Sequence, residues 1–115
     1  MSRFRLSRLA HADLRRILSA SSERWGNEGR RRYEAALAAA MRRVAGDPDC
    51  PTSRGRDELR RGVRSFHVRH ALTADSATRV RRPVHVLYYR VVEPGLVEIV
   101  RVLHERVEPS QHLGD

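Results

Sequence analysis

The chain has 115 residues, and its 23 Lys and Arg positions are all Arg, which gives a formal net charge of +9. This length fits one domain, residues 1–115, and the charge favours acidic partners, either nucleic acid or an acidic protein segment. A single cysteine excludes an internal disulfide. No apolar run reaches the roughly 20 residues of a membrane span, so we expect a cytoplasmic protein that does not bind membranes.

The N-terminal part of the sequence predicts a short strand followed by a helix. Phe4-Arg5-Leu6 is typical of an edge strand, and the hydroxyl of Ser7 can cap the helix that follows. Apolar residues at helical spacing predict this helix from about Ala10 to Trp25, with Ser21 as its one polar interruption. We expect Trp25 to anchor the core near the end of the helix.

The clearest helix in the sequence comes next. Gly26 suits the end of the first helix and Asn27 the start of the second, so the two form an αα-hairpin. The second helix ends at Gly46-Asp47-Pro48, and Cys50 follows as a small apolar loop residue. Its apolar positions repeat every three or four residues, at Tyr33, Ala36, Leu37, Ala40, Met41 and Val44.

Three main strands are predicted in the C-terminal half. The first is Val63–His70, in which Arg64, Phe66 and Val68 share a face. A long basic connection, residues 71–82, separates it from two strands of a hairpin, Val84–Val92 and Leu96–Leu103. Glu93-Pro94-Gly95 supplies the turn between them.

Strict alternation assigns the faces of the last strand. It places Val97, Ile99 and Leu103 on one face, and Leu96, Val100 and Val102 on the other. Tyr88 and Tyr89 of the preceding strand also face opposite ways. The tail after Arg106 has two large apolar residues, Val107 and Leu113, which we expect to dock on the sheet or on a partner.

Histidines are the only candidates for a metal site. His67, His70 and His85 lie on neighbouring predicted strands, but residues three apart in a regular strand face opposite ways. No carboxylate or thiolate stands at a suitable spacing, so we expect no zinc site and no cofactor.

Several motifs resemble the ParE toxins of the ParE/RelE superfamily. The strongest are Tyr88-Tyr89-Arg90 and the run from Val100 to Arg106, VRVLHER; Gly62–Phe66 and Glu23–Gly26 match upstream in the same order. The 71–82 connection departs from the shorter family pattern. The resemblance implies an α+β fold with a short N-terminal strand and an αα-hairpin packed on a mostly antiparallel sheet of three to four strands.

The resemblance also implies a function. ParE-like proteins are toxins of type II toxin–antitoxin systems that act on DNA gyrase, and a ParD-like acidic antitoxin neutralises them by folding onto them. The resemblance therefore implies a heteromeric toxin–antitoxin complex, whose stoichiometry it leaves open, with a heterotetramer as one candidate. By this resemblance and by charge, we expect nine residues to contact antitoxin or target: Arg64, Phe66, Arg69, Tyr88, Arg90, Arg101, His104, Val107 and Leu113.

Two alternatives stay open. RelE-type toxins cleave mRNA on the ribosome, and a site for that reaction here would consist of Arg64, Arg69, Arg101 and His104. That site lacks lysine and has no aromatic residue after His104, so we expect a binder with no catalytic residues. The second alternative is a basic binding module without toxicity.

Overall fold

The computed structural model describes residues 2–71 and 82–113. In chain order the elements are β1 (Arg3–Leu6), α1 (Arg8–Gly46), β2 (Arg54–Gly55), β3 (Arg64–His67), a 3₁₀ helix (Val68–Ala71), β4 (His85–Glu93), β5 (Leu96–His104) and a second 3₁₀ helix (Pro109–Gln111). The strands form one mixed sheet in the order β1-β5-β4-β3-β2, with β1 parallel to β5 and the other neighbours antiparallel. This confirms the α+β class; the additional strand is β2, whose two residues are too few to leave a pattern.

The helix α1 consists of two arms joined at Gly26. A straight helix of its length would measure about 58 Å, whereas the longest dimension of the protein is 38 Å. Gly26 has φ 74° and ψ −174°, a conformation that interrupts the helix and that glycine adopts readily. The arms, residues 8–25 and 27–46, pack on the same core, as the predicted αα-hairpin requires.

The position of Trp25 contradicts the expectation that this residue anchors the core. Its side chain is 59% exposed, and the Arg24 guanidinium carbon lies 5.1 Å from the ring centroid. The last fully buried position of the first arm is Ser21. The chain turns at Gly26 directly after Trp25, which leaves the ring at the tip of the helical hairpin, beyond the core.

The core has a layer on each face of the sheet. Between α1 and the sheet, the predicted stripe of the second arm packs against strand residues that include Phe66, Leu87, Tyr89 and Ile99. Cys50 is buried in this layer too, as predicted for a small apolar loop residue. On the opposite face, five buried residues form a second cluster, and the presence of Leu113 among them confirms that the tail docks on the sheet: Val63, Tyr88, Val100, Leu103 and Leu113.

A β-bulge changes the predicted faces of β5. Tyr88 pairs with Arg101 and Tyr89 with Ile99, so Val100 has no partner residue on β4. One extra residue shifts the alternation. Val102 therefore lies in the layer beneath α1 and Leu103 in the layer beneath the tail, the reverse of the strict alternation expected from the sequence.

The strand β3 is shorter than predicted. It ends at His67, and Val68–Ala71 continues as a 3₁₀ helix. The chain leaves the extended conformation after His67 and coils into the 3₁₀ helix, so strand alternation does not apply to His70, and the rings of His67 and His70 lie 6.3 Å apart. The expectation that these histidines face opposite ways was wrong for this reason. The connection that follows lies almost entirely outside the described residues.

Candidate functional site

A buried ion pair joins α1 to β5. Arg101 donates two hydrogen bonds to Asp13, from Nε to Oδ2 and from Nη2 to Oδ1, each 2.8 Å long. The Val102 amide donates to the same carboxylate at 3.0 Å. Asp13 is 2% exposed and Arg101 9% exposed, and the bonds to Asp13 raise the pKa of Arg101.

This pair also holds the tail. Arg101 Nη1 donates to the carbonyl oxygen of His112 at 3.1 Å, beside the buried Leu113. Asp13 was missed by the sequence analysis, although the sequence contained a signal. It stands three residues after Ala10 and one before Leu14, on the predicted apolar stripe. A carboxylate there indicates a buried partner of opposite charge.

A second polar group joins the other arm of α1 to the start of β4. The Val84 amide donates to the Tyr33 hydroxyl at 3.2 Å, and that hydroxyl is in turn hydrogen-bonded to His85 Nδ1. The hydroxyl accepts from Val84 and has a proton of its own, which it can donate to His85 when Nδ1 is unprotonated. Burial, with the nearby His104, lowers the pKa of His85 to about 4, in agreement with this arrangement.

A third polar group links the ends of β3 and β5. His67 Nε2 lies 2.7 Å from Glu105 Oε1, and Arg82 Nη2 lies 3.9 Å from the other oxygen of that carboxylate. The hydrogen bond with His67 lowers the pKa of Glu105. Among residues 2–71 and 82–113, no three His, Cys, Asp or Glu side chains converge in a way that could hold a metal ion.

The residues of the predicted nuclease site do not bond to one another. Arg64 donates to Ser53 Oγ, at 2.8 Å from Nη2, and lies 3.6 Å from Asp49. Arg101 is occupied by Asp13. His104 is exposed at the end of β5, where its Nδ1 accepts from the Arg106 amide. Arg69 is exposed on the 3₁₀ helix after β3.

The nine residues predicted to contact a partner divide by exposure. Phe66, Tyr88 and Leu113 are buried by this chain's own core, and Arg101 by its ion pair. Arg69 and His104 are exposed. The remaining three are partly exposed: Arg64, Arg90 and Val107. Their role in binding stays a prediction, with the exposed members as its first candidates.

Within residues 2–71 and 82–113, four large apolar side chains are exposed that were not predicted as contact residues. Leu9 and Trp25 lie near opposite ends of the first arm of α1, and Val91 and Val92 lie near the tip of the β4–β5 hairpin. Isolated apolar residues are common on protein surfaces. None of the described helices is long and apolar enough to cross a membrane.

The helical hairpin on a mixed sheet, with a C-terminal tail docked on the far face, is consistent with a RelE/ParE-like fold. The family model of the ParE toxin of the type II toxin–antitoxin system parDE matches residues 4–109. Toxin ParE1 of Mycobacterium tuberculosis is 35% identical over 112 residues, covering 97% of this chain and 98% of that protein. Toxin ParE1 of Caulobacter vibrioides is 36% identical over 120 residues, covering 99% and 100%. The chain belongs to the ParE toxin family.

Proposed function

We propose that this toxin acts in the cytoplasm as a binding inhibitor of DNA gyrase and that a ParD-like antitoxin neutralises it. The family match across residues 4–109 carries the proposal, because the family is defined by the parDE pair of toxin and antitoxin. Gyrase is proposed as the target because ParE-like toxins in general act on it.

The interactions of the arginines support inhibition by binding over RNA cleavage. An acid–base site needs groups that can move protons near a shared phosphate. Here Arg101 is fixed by a bidentate bond to Asp13, and Arg64 is held by Ser53. Each guanidinium therefore stabilises its own part of the fold.

Charge and surface support an antitoxin that folds on binding. The formal charge of +9 favours an acidic segment, and the exposed Leu9, Trp25, Val91 and Val92 offer apolar contacts. A disordered acidic chain with a few apolar anchors suits such a surface, because charge steers the encounter and apolar burial offsets the cost of ordering.

A supercoiling assay tests the target. Purified toxin added to gyrase and relaxed plasmid should inhibit supercoiling or trap cleaved DNA, while a reconstituted translation reaction should keep its rate and its intact mRNA. The His104→Gln variant should inhibit gyrase as well as the wild type does, because glutamine keeps a hydrogen-bonding side chain at this position and a binding inhibitor needs no acid–base group there.

The opposite pattern would overturn the proposal. If gyrase is unaffected while mRNA is cut on the ribosome, the protein is a nuclease toxin. In that case His104→Gln should reduce cutting by roughly 10²–10⁴-fold, the usual effect of losing an acid–base group.

An antitoxin titration in the gyrase assay should restore supercoiling at a fixed molar ratio.

A further inference from the structure

A cleft of about 400 Å³ lies on the face of the sheet opposite α1. Its floor comes from alternate residues of neighbouring strands, with Ser65 and His67 on β3 opposite Tyr88 and Val86 on β4. One wall is the edge of the sheet around β2, and the other is the segment after β5. The small side chain of Ser65, between Arg54 and Tyr88 in one row across the sheet, leaves room for the depression.

The strand pairing brings three arginines to this cleft. Arg54 and Arg56 are two residues apart along the edge of the sheet and therefore face the same way. Arg69 reaches the cleft from the 3₁₀ helix after β3. Arg56 lies over the Tyr88 ring, 5.9 Å from its centroid, and pairs with Glu58 at 2.7 Å.

Positive charge in the cleft exceeds negative charge. Within the described part of the chain, the guanidinium groups of Arg54 and Arg69 have no carboxylate within 4.0 Å. The lining carboxylate, Glu105, is already engaged by His67 and Arg82. Burial, and then the charge of Arg69, lowers the pKa of His70, so its imidazole offers a neutral hydrogen-bonding group beside the two arginines.

We propose that this cleft binds the phosphate group of a nucleotide or of a single-stranded nucleic acid. Guanidinium groups bond phosphate oxygens in pairs, and a phosphate has enough oxygens and charge to engage several arginines at once. A carboxylate has two oxygens and one charge, so one arginine largely satisfies it. The volume is within the range of small-molecule sites. This activity is separate from the protein partners proposed above.

Binding can be measured with three probes on the whole protein. These are inorganic phosphate and AMP, followed by shifts of the backbone amide signals, and a fluorescent eight-nucleotide single strand, followed by anisotropy. We expect shifts concentrated at Arg54, Ser65, Arg69 and Tyr88. The double variant Arg54→Ala/Arg69→Ala should weaken binding of AMP and of the strand about tenfold or more. Tighter binding of the strand than of AMP identifies nucleic acid as the source of the phosphate, and equal binding identifies a free nucleotide.

A charge-matched control separates the cleft from overall charge. Arg42→Ala/Arg43→Ala removes two exposed arginines from α1 and should change binding less than about twofold. Equal weakening by both double variants would mean nonspecific attraction, and shifts that map elsewhere would place binding outside the cleft. A glutamate-rich peptide that competes as well as AMP does would make the cleft a peptide site. Any of these results overturns the proposal. Circular dichroism checks that both variants remain folded.

Discussion

At the scale of single residues, the buried pair of Asp13 and Arg101 fixes how three parts of the chain meet. The carboxylate receives two bonds from Arg101 and one from the Val102 amide, and Arg101 also holds the His112 carbonyl. Removing one member of a buried ion pair leaves the other charge poorly compensated, which costs far more than losing a surface pair.

We therefore expect Asp13→Asn to reduce the free energy of unfolding by about 3–5 kcal/mol. Arg16→Ala is the control, because Arg16 bonds the same carboxylate from an exposed position, and it should cost less than about 1 kcal/mol. Urea unfolding measures both. Similar values for the two variants would show that the buried pair contributes no more than a surface one.

His85 gives the stability a defined pH dependence. The unfolded chain protonates this imidazole near pH 6.5, whereas the folded chain does so only near pH 4. Between these values the unfolded state binds more protons, so stability falls as the pH drops through this window. Above pH 6.5 the contribution is fully present, and below about pH 4 it is lost.

The expected loss from pH 7 to pH 4 is roughly 1–3 kcal/mol from this group. Other groups titrate as well, so the measurement is the difference between wild type and His85→Asn. The asparagine can accept from Tyr33 but does not titrate. If the free energies of unfolding of the two proteins change in parallel with pH, His85 is not the source of this pH dependence.

At the scale of elements, the two arms of α1 differ in how much of their stripe reaches the core. The second arm is buried along its full stripe, with Leu37 2% exposed, whereas the first arm ends in the exposed Trp25. Burial depends on what lies opposite a helix face, and the turn at Gly26 places Trp25 beyond the sheet.

Leu37→Ala should reduce the free energy of unfolding by about 2–5 kcal/mol, the range for truncating a large side chain in a core. Trp25→Ala serves as the matched control on the other arm and should cost less than about 1 kcal/mol, since its ring is mostly in solvent. Thermal or urea unfolding gives both numbers. A loss for Trp25→Ala as large as for Leu37→Ala would mean that the ring is buried in solution.

At the scale of the whole molecule, the charge of +9 and the exposed apolar residues determine how a partner would bind. We expect the adjacent reading frame to encode a ParD-like segment that binds with nanomolar affinity. Apolar burial should give a negative ΔCp, and charge steering should make the affinity fall with added salt. Calorimetry at several temperatures and salt concentrations tests this. Micromolar affinity, or affinity independent of salt, would contradict the expected mode.

The sequence by itself determined the main helices, the C-terminal hairpin and the resemblance to the family, but not β2 or the early end of β3. Helical spacing predicted the buried stripe of the second arm from Tyr33 to Val44, and turn chemistry predicted the β4–β5 hairpin around Pro94-Gly95. These features are local, since they depend on the period of apolar residues and on the backbone preferences of proline and glycine. The resemblance to ParE toxins also rests on short local motifs, those around Tyr88 and His104.

The tertiary structure alone decided which residues meet. Asp13 and Arg101 are 88 positions apart, so no local pattern could pair them. The unpaired Val100 reversed the faces of Val102 and Leu103, because a bulge depends on the register with β4 and not on the strand's own composition. Arg54 and Arg69 came to share one cleft through the pairing of β2 with β3, which local periodicity cannot specify because it carries no information about strand neighbours.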